Sequence, residues 1–270
     1  MKVSVIIAVF NEASTVAVLL ERVWGQSLAE TDKEIIIVES NSTDGSRELV
    51  QEFVARHADD SSARIQAIFE AGPKGKGHAV RQGLAAATGD ILLIQDADLE
   101  YDVADYPKLL EPIIEGRTEF VLGSRHLGPN RWRIRKFGRR GLQSAFMNFG
   151  GMLFHAFFNV LFACRLTDPT TMYKVFRSHC IEGLSFSCDR FDFDFELLGK
   201  LIRAGHTPLE VPVSYRSRGF DEGKKIRIFR DPVTWIFAIV RSRFARLESA
   251  KQVEPGRARY NEKPASRASS

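Results

Sequence analysis

The chain has 270 residues, 44% of them hydrophobic and 27% charged, with a formal net charge of +4. That composition suits one sizeable core, or one domain with an appended subdomain, in an ordinary soluble chain. Three cysteines, Cys164, Cys180 and Cys188, form no C-x-x-C pair and give an odd count, which argues against a disulfide framework or a zinc ribbon and fits a reducing cytoplasm.

The apolar run from Lys2 to Phe10 is too short for a signal h-region with a cleavage site and reads as a first buried strand, Val3 to Val9, so no secretion signal is expected. Helical apolar spacing follows from Glu12 to Trp24, then a strand over Glu34 to Val38 and a helix over Ser46 to Arg56. The pattern repeats with a strand at Arg64 to Phe69, a Gly-rich loop from Gly72 to Gly77, a helix from His78 to Ala87 and a strand from Asp90 to Gln95. Such alternation predicts an α/β fold, a mostly parallel sheet with helices on both faces, and ligands at the carboxyl ends of its strands. Asn11-Glu12, Glu39-Ser40-Asn41 and Asp96-Ala97-Asp98 all fall at those ends.

The last strand empties into Asp96, Asp98 and Glu100. On an extended segment alternate residues share one face, so the three carboxylates can converge on a hard divalent cation, Mg²⁺ or Mn²⁺. Such an ion completes its shell with water and phosphate oxygens and so suits a nucleotide diphosphate leaving group. An acidic turn after a strand is the plain alternative.

Downstream, Ser144 to Ala163 lacks Lys, Arg, Asp and Glu and is crowded with phenylalanine. Arg140, Ser144, Asn148, His155 and Asn159 recur near multiples of roughly 3.6 residues, which marks one narrow polar stripe on a helix otherwise apolar all round. That pattern suits a helix lying in a membrane interface or covering an acceptor tail better than one spanning a bilayer; a plain buried helix is the other reading. Phe191-Asp192-Phe193-Asp194-Phe195-Glu196 is either a source of a general base or a helix start with Asp caps. A short apolar-basic segment, Trp235 to Phe244, follows Asp231-Pro232, and the composition beyond it predicts a disordered tail over 251–270. Basic residues cluster at Arg131 to Arg140, at Arg216 to Arg230 and at Arg241, Arg243 and Arg246, with aromatic and apolar neighbours that favour phosphate sites or a membrane surface over nucleic acid. His78, His126, His155 and His179 show no ligand spacing together.

Val9-Phe10-Asn11-Glu12, Glu39-Ser40-Asn41-Ser42-Thr43-Asp44-Gly45, the Gly75-Lys76-Gly77 helix start and Asp96-Ala97-Asp98, in this order, resemble a family 2 glycosyltransferase of the GT-A fold. Gly123-Ser124-Arg125, Arg139-Arg140 with Ser144, Asp168-Pro169-Thr170-Thr171 and Glu210 to Tyr215 extend the resemblance to the branch that acts on dolichyl and other polyprenyl phosphates, over about residues 1–230. The resemblance implies a GT-A domain over 1–230 and an inverting hexosyl transfer from a UDP- or GDP-sugar to a polyprenyl phosphate; the apolar-basic composition beyond it reads as an amphipathic basic C-terminal helix over 231–250. It also implies a cytoplasmic protein, peripheral at the inner face of the membrane.

By the same resemblance Ala8, Phe10, Glu12, Glu39, Ser40, Lys76, Asp96, Ala97 and Asp98 hold the nucleotide sugar. Asp96, Asp98 and Glu100 hold the metal, Arg218 and Lys224 close on the phosphates, and Arg125, Arg139, Arg140 and Ser144 bind the acceptor phosphate. Asp194 aligns with an acidic position near the acceptor. Two departures bear on this. Glu39-Ser40 stands where the family commonly has two aspartates, which leaves the base open, and Ala8 replaces a proline without removing a functional group.

A hydroxyl acceptor would instead require a base, for which Asp194 is the candidate. A sugar-1-phosphate nucleotidyltransferase would need a Gly-rich loop after strand one, and a dinucleotide oxidoreductase a G-x-G-x-x-G after a strand; neither spacing occurs. A non-enzymatic basic adaptor would leave the acidic cluster without a purpose.

Overall fold

The computed structural model describes residues 1–28, 31–127, 141–218 and 231–244, the side chains of 141–149 and 231–233 aside. In chain order the elements are β1 (Lys2–Val9), α1 (Val16–Gly25), β2 (Asp32–Glu39), α2 (Ser46–Arg56), β3 (Arg64–Phe69), α3 (Lys76–Ala86), β4 (Ile91–Asp96), α4 (Tyr106–Ile114), β5 (Phe120–Ser124), α5 (Gly141–Phe162), β6 (Lys174–Arg177), α6 (Phe193–Arg203), β7 (Leu209–Pro212) and α7 (Asp231–Phe244). The seven strands form one sheet in the order β3-β2-β1-β4-β6-β5-β7. All neighbouring pairs are parallel except those of β6, which runs antiparallel to both β4 and β5.

Period-two side-chain alternation separates the two faces. Val3, Val5 and Ile7 of β1 and Ile91 and Leu93 of β4 pack with α1, α2 and α4 in one core, through Leu19, Val50, Phe53 and Leu109. Ile6 of β1 turns to the opposite face with Ile36, Val38 and Ala79, while Leu92 and Ile94 of β4 join Phe158, Phe176, Leu198 and Ile239 there. Strands buried on both faces read as unbroken apolar runs, which is why Val3 to Val9 and Ile91 to Ile94 show no polar alternation.

Over part of the expected C-terminal basic helix lies α7, whose Ala238 and Ile239 are buried in the second core. The described part of the polar stripe on α5 meets the loop that follows it. Asn159 donates from its side-chain nitrogen to the Leu166 carbonyl (2.8 Å) and accepts from the Leu166 N–H (2.9 Å), and His155 Nε2 lies 3.1 Å from Thr170 Oγ1. The outward face of α5 is apolar, with Leu153 57% and Val160 82% exposed, and Phe237 and Phe244 of α7 are each 71% exposed. Among the described residues no helix is long and apolar enough to cross a membrane. The tail over 251–270 lies outside the described residues.

The helices α5, α6 and α7 meet at Gly199, where an added Cβ would lie 2.7 Å from both Phe162 Cζ and Ser242 Oγ. Overpacking such a crossing typically costs about 1–3 kcal/mol. Gly199→Val is therefore expected to lower the free energy of unfolding by that amount, read as a shifted urea midpoint.

Candidate active site

The site assembles at the carboxyl ends of β1, β2 and β4, where the chain leaves the sheet in tight, hydrogen-bonded loops. Asn11 after β1 and Asn41 after β2 both take positive φ, 51° and 55°. The two loops are laced together. Asn11 accepts from the Thr43 N–H (2.9 Å), the Asn11 N–H donates to Ser42 Oγ (2.9 Å), and the Glu12 N–H donates to Ser46 Oγ (2.8 Å).

Glu39 is fully buried and accepts from the Ser42 N–H (2.6 Å), the Asn41 N–H (3.2 Å) and Arg47 Nε (2.6 Å). Ser40, 3% exposed, donates to Glu70 (2.6 Å). These two residues, expected at the nucleotide, are engaged with protein partners that shape the β2 loop. Phe10, by contrast, is 37% exposed at the rim, and Ala8 lies beside Asp96 across the β1–β4 pairing.

The acidic segment departs from the extended geometry expected of it. The strand ends at Asp96, the chain turns, and Leu99 adopts φ 58° while the Glu100 N–H donates to Asp98 Oδ1 (3.0 Å). Carboxylate oxygens of Asp96, Asp98 and Glu100 are accordingly not all gathered within 4.8 Å of one another. A turn brings the three residues to one region, and basic side chains stand among them.

Lys76 Nζ lies 2.5 Å from Asp96 and 4.0 Å from Asp194. The Gly-rich loop makes this approach possible, because Gly75 has φ 118° and an added Cβ on Gly77 would lie 2.5 Å from Phe193 Cβ. The glycines thus serve close packing of α3 against the start of α6. Burial by itself lowers the Lys76 pKa, but Asp96 and Asp194 outweigh it and hold the ammonium above its ordinary value.

On the other side Arg218 reaches in from beyond β7. Its guanidinium donates to Glu12 (2.8 and 3.3 Å) and to Asp98 (2.9 Å), and its backbone N–H donates to Glu100 (2.8 Å). Glu100 also accepts from the Tyr215 hydroxyl (2.5 Å).

Burial, reinforced by Asp96 and Glu100, pushes the Asp98 carboxyl up to about 7 even with Arg218 beside it. Clustered carboxylates that repel one another and draw in cationic side chains are a donor set that fits a hard, oxygen-seeking dication. Asp96 and Asp98, with Glu100 beside them, are the residues that could hold one.

Asp194 sits in the first turn of α6, 7% exposed, and faces Lys76 and also Lys174, whose Nζ is 3.6 Å away. The neighbouring Asp192 takes the N-cap position and accepts from the Arg190 N–H (3.0 Å). Asp192 thus stands at the helix start without capping it through its side chain, and Asp194 lies among ammonium groups. Lys174 was missed in the sequence. It is fully buried on β6, donates to the Thr171 carbonyl, and has its pKa lowered by burial against the opposing pull of Asp194. A lone lysine in a strand of apolar neighbours carries no spacing signal.

Arg125, expected at an acceptor phosphate, is held by Asp168. Its Nε and one terminal nitrogen each donate at 2.7 Å, its backbone N–H donates at 3.0 Å, and it stacks over Tyr215 with its carbon 5.0 Å from the ring centre. The Asp168-Pro169-Thr170-Thr171 motif is the other half of this pair, with Thr170 also accepting from Arg125 (2.7 Å). Burial by itself raises the Asp168 pKa, but Arg125 more than reverses this and holds the carboxyl well below the usual range. Arg139, Arg140 and Lys224 lie outside the described residues, as does the Ser144 side chain.

An α/β sheet whose strand ends gather acidic residues, with Lys and Arg side chains among them, is the GT-A arrangement that binds nucleotide-diphosphate sugars. Residues 4–178 match the model of the family described as Glycosyl transferase family 2, and the chain belongs to that family. Over 228 residues it is 26% identical to a dolichol-phosphate mannosyltransferase of Pyrococcus furiosus, covering 84% of this chain and 61% of that one. It is also 26% identical to an undecaprenyl-phosphate 4-deoxy-4-formamido-L-arabinose transferase of an Enterobacter species, over 83% of this chain and 62% of that one. The chain thus spans about three fifths of the length of these curated relatives. In three dimensions it is similar to glucosyl-3-phosphoglycerate synthase of Mycobacterium tuberculosis in complex with Mg²⁺ and UDP. The TM-score is 0.58 and the identity 17%, covering 90% of this chain and 79% of that one, a likeness of fold.

Breaking a buried ion pair by removing one charge typically costs about 3–5 kcal/mol, and Asp168→Asn is expected to lower stability by that amount in urea unfolding. The folded pKa of Asp168 lies below the unfolded value of about 3.9. Its contribution is therefore complete above that value and lost as pH falls through the folded one. Below about pH 4 the wild-type midpoint should drop more steeply with acidification than that of the variant.

Proposed function

We propose that the chain transfers a sugar from a UDP- or GDP-sugar to a polyprenyl phosphate at a membrane surface, with Mg²⁺ or Mn²⁺ held by Asp96 and Asp98 and assisted by Glu100. The observation that carries this reading is the mixed cluster at the carboxyl ends of β1 and β4, where Lys76 and Arg218 meet Glu12, Asp96, Asp98 and Glu100. Carboxylates suit a metal, and the two cations are within reach of a diphosphate bound to it. When bound, the metal acts as a Lewis acid on the departing diphosphate.

Lys76 and Arg218 would exchange carboxylate for phosphate partners as the donor binds, so the positive charge needed at the leaving group is in place before the C1–O bond breaks. Glu12, released from Arg218, then offers its carboxylate to the donor's ribose side of the site, beside the exposed ring of Phe10. Lys224 would add a further cation to the phosphates.

A lipid monophosphate is anionic at neutral pH and needs binding more than deprotonation. Arg125, oriented by Asp168, is the acceptor-side cation that this reading uses, with Arg139, Arg140 and Ser144 as further candidates. The names of the two curated relatives, each referring to a polyprenyl-type phosphate, support this choice. So does the apolar outer surface of α5 and α7, with Leu153, Val160, Phe237 and Phe244 exposed beside Arg241 and Arg243 at the end of α7, which suits a peripheral helix pair resting on anionic lipid.

The second reading, a hydroxyl acceptor with Asp194 as base, is favoured by the closeness of Asp194 to the donor-side residue Lys76. Against it, Asp194 faces ammonium groups on two sides, the arrangement of an anchor between α3 and β6.

Purified protein incubated with Mn²⁺ or Mg²⁺ and a panel of UDP- and GDP-sugars is expected to transfer sugar to undecaprenyl or dolichyl phosphate. Asp98→Ala is expected to lose activity by at least about 100-fold, or about 2.7 kcal/mol of transition-state stabilisation. Donor turnover without lipid transfer would favour the hydroxyl reading, and no turnover of any donor would overturn both. For the surface, each Phe→Glu change at Phe237 and Phe244 is expected to weaken binding to anionic vesicles by roughly tenfold or more, given about 1.5–3 kcal/mol per buried phenylalanine side chain. Co-sedimentation measures this directly.

A further inference from the structure

At the edge of the sheet opposite the strand ends described above, three separate segments bring metal-ligating side chains together. Glu119 immediately precedes β5, His179 and Cys180 follow β6 in a 3-10 turn, and His206 follows α6. Because β6 is antiparallel to β5, the end of one lies beside the start of the other, and the Arg177 N–H donates to the Glu119 carbonyl (2.9 Å).

His206 Nδ1 lies 2.9 Å from one carboxylate oxygen of Glu119, and His179 Nε2 lies 3.1 Å from the other. Cys180 Sγ points to the Glu119 carbonyl at 3.7 Å, and the ligand atoms of Glu119, Cys180 and His206 all lie within 4.8 Å of one another. We propose that Glu119, Cys180 and His206, with His179 as fourth ligand, form a structural site for a borderline transition metal, Zn²⁺ above others.

The chemistry of the set selects the ion. One thiol, two imidazoles and one carboxylate are the ligand types Zn²⁺ takes, and they do not suit Mg²⁺ or Ca²⁺, which prefer oxygen alone. Tetrahedral bonds of about 2.0–2.3 Å place ligand atoms roughly 3.3–3.8 Å apart, so the two imidazole–carboxylate contacts would open slightly and the longer separations in the cluster would close, adjustments that side-chain torsions can supply.

Exposure is graded as an entry path requires. The Glu119 and His179 side chains are 51% and 45% exposed, His206 is 21% exposed, and Cys180 at the floor is 1% exposed. Among the described residues the carboxylate's ion-pair partners are the two imidazoles, one on each oxygen, with no lysine or arginine to displace. A bound ion would tie the start of β5, the end of β6 and the end of α6 into one junction. It would be chemically separate from any oxygen-bound dication at Asp96 and Asp98.

The test uses the full chain, reduced and stripped by chelator, titrated with Co²⁺ and then back-titrated with Zn²⁺. A thiolate-to-cobalt charge-transfer band in the near ultraviolet, saturating at one equivalent and removed by Zn²⁺, is expected. Asp98→Ala should retain the band and Cys180→Ser should abolish it. Glu119→Gln and His206→Gln should each weaken Zn²⁺ binding by at least about tenfold; both side chains reach the surface, so these variants test the site even if Cys180→Ser fails to fold. Absence of the band, its survival in Cys180→Ser, its loss in Asp98→Ala, or a smaller change in either of the other variants would overturn the assignment.

Discussion

Carboxylates crowded at the ends of parallel strands repel one another, and a fold that gathers them must supply positive charge. Here Lys76 comes from the start of α3, and Arg218 from beyond β7, 206 residues after Glu12. Their placement depends on the rest of the architecture. Lys76 reaches Asp96 because Gly75 and Gly77 let α3 press against the segment before α6. Arg218 reaches Asp98 and Glu100 because Tyr215 bridges to Tyr101 and donates to Glu100, which pins the segment after β7 against the acidic turn. Cations that hold such a site together are also, under the proposed function, the groups a bound diphosphate would recruit.

The second charged centre works differently. Arg125 and Asp168 form a bidentate pair, nearly excluded from water, between the end of β5 and the loop after α5. Glu210 completes it by accepting from the N–H groups of Thr167 and Asp168, which joins the loop to β7. A buried guanidinium held on two carboxylate oxygens keeps a fixed direction. His155 and Asn159 on α5 line the same loop, so a helix with a long apolar outer surface carries polar contacts on the side facing the site. An exposed apolar surface and a polar seam are thus two sides of one helix.

The antiparallel strand β6 is what makes the far edge of the sheet distinctive. By reversing direction between β4 and β5 it carries Lys174 toward Asp194 at one end and delivers His179 and Cys180 beside Glu119 at the other. A sheet wholly parallel at this point would place neither group where it stands.

The amino-acid sequence by itself determined the alternation of strands and helices through α3 and β4, because strands buried on both faces and amphipathic helices leave periodicities that survive without a partner. It also marked Asp96, Asp98, Glu100, Lys76 and Arg218, which local motifs at the strand ends pick out and which the fold brings together. Tertiary structure decided what local pattern cannot carry. It turned the chain at Leu99, which brings Asp96, Asp98 and Glu100 to one region; it engaged Glu39 and Ser40 with protein partners, and it set His155 and Asn159 of α5 against the loop that follows that helix. Above all it assembled Lys174 with Asp194, and Glu119 with His179, Cys180 and His206. Such groups come from segments far apart in sequence, and their distances are set by strand order and direction, which no spacing along one chain records.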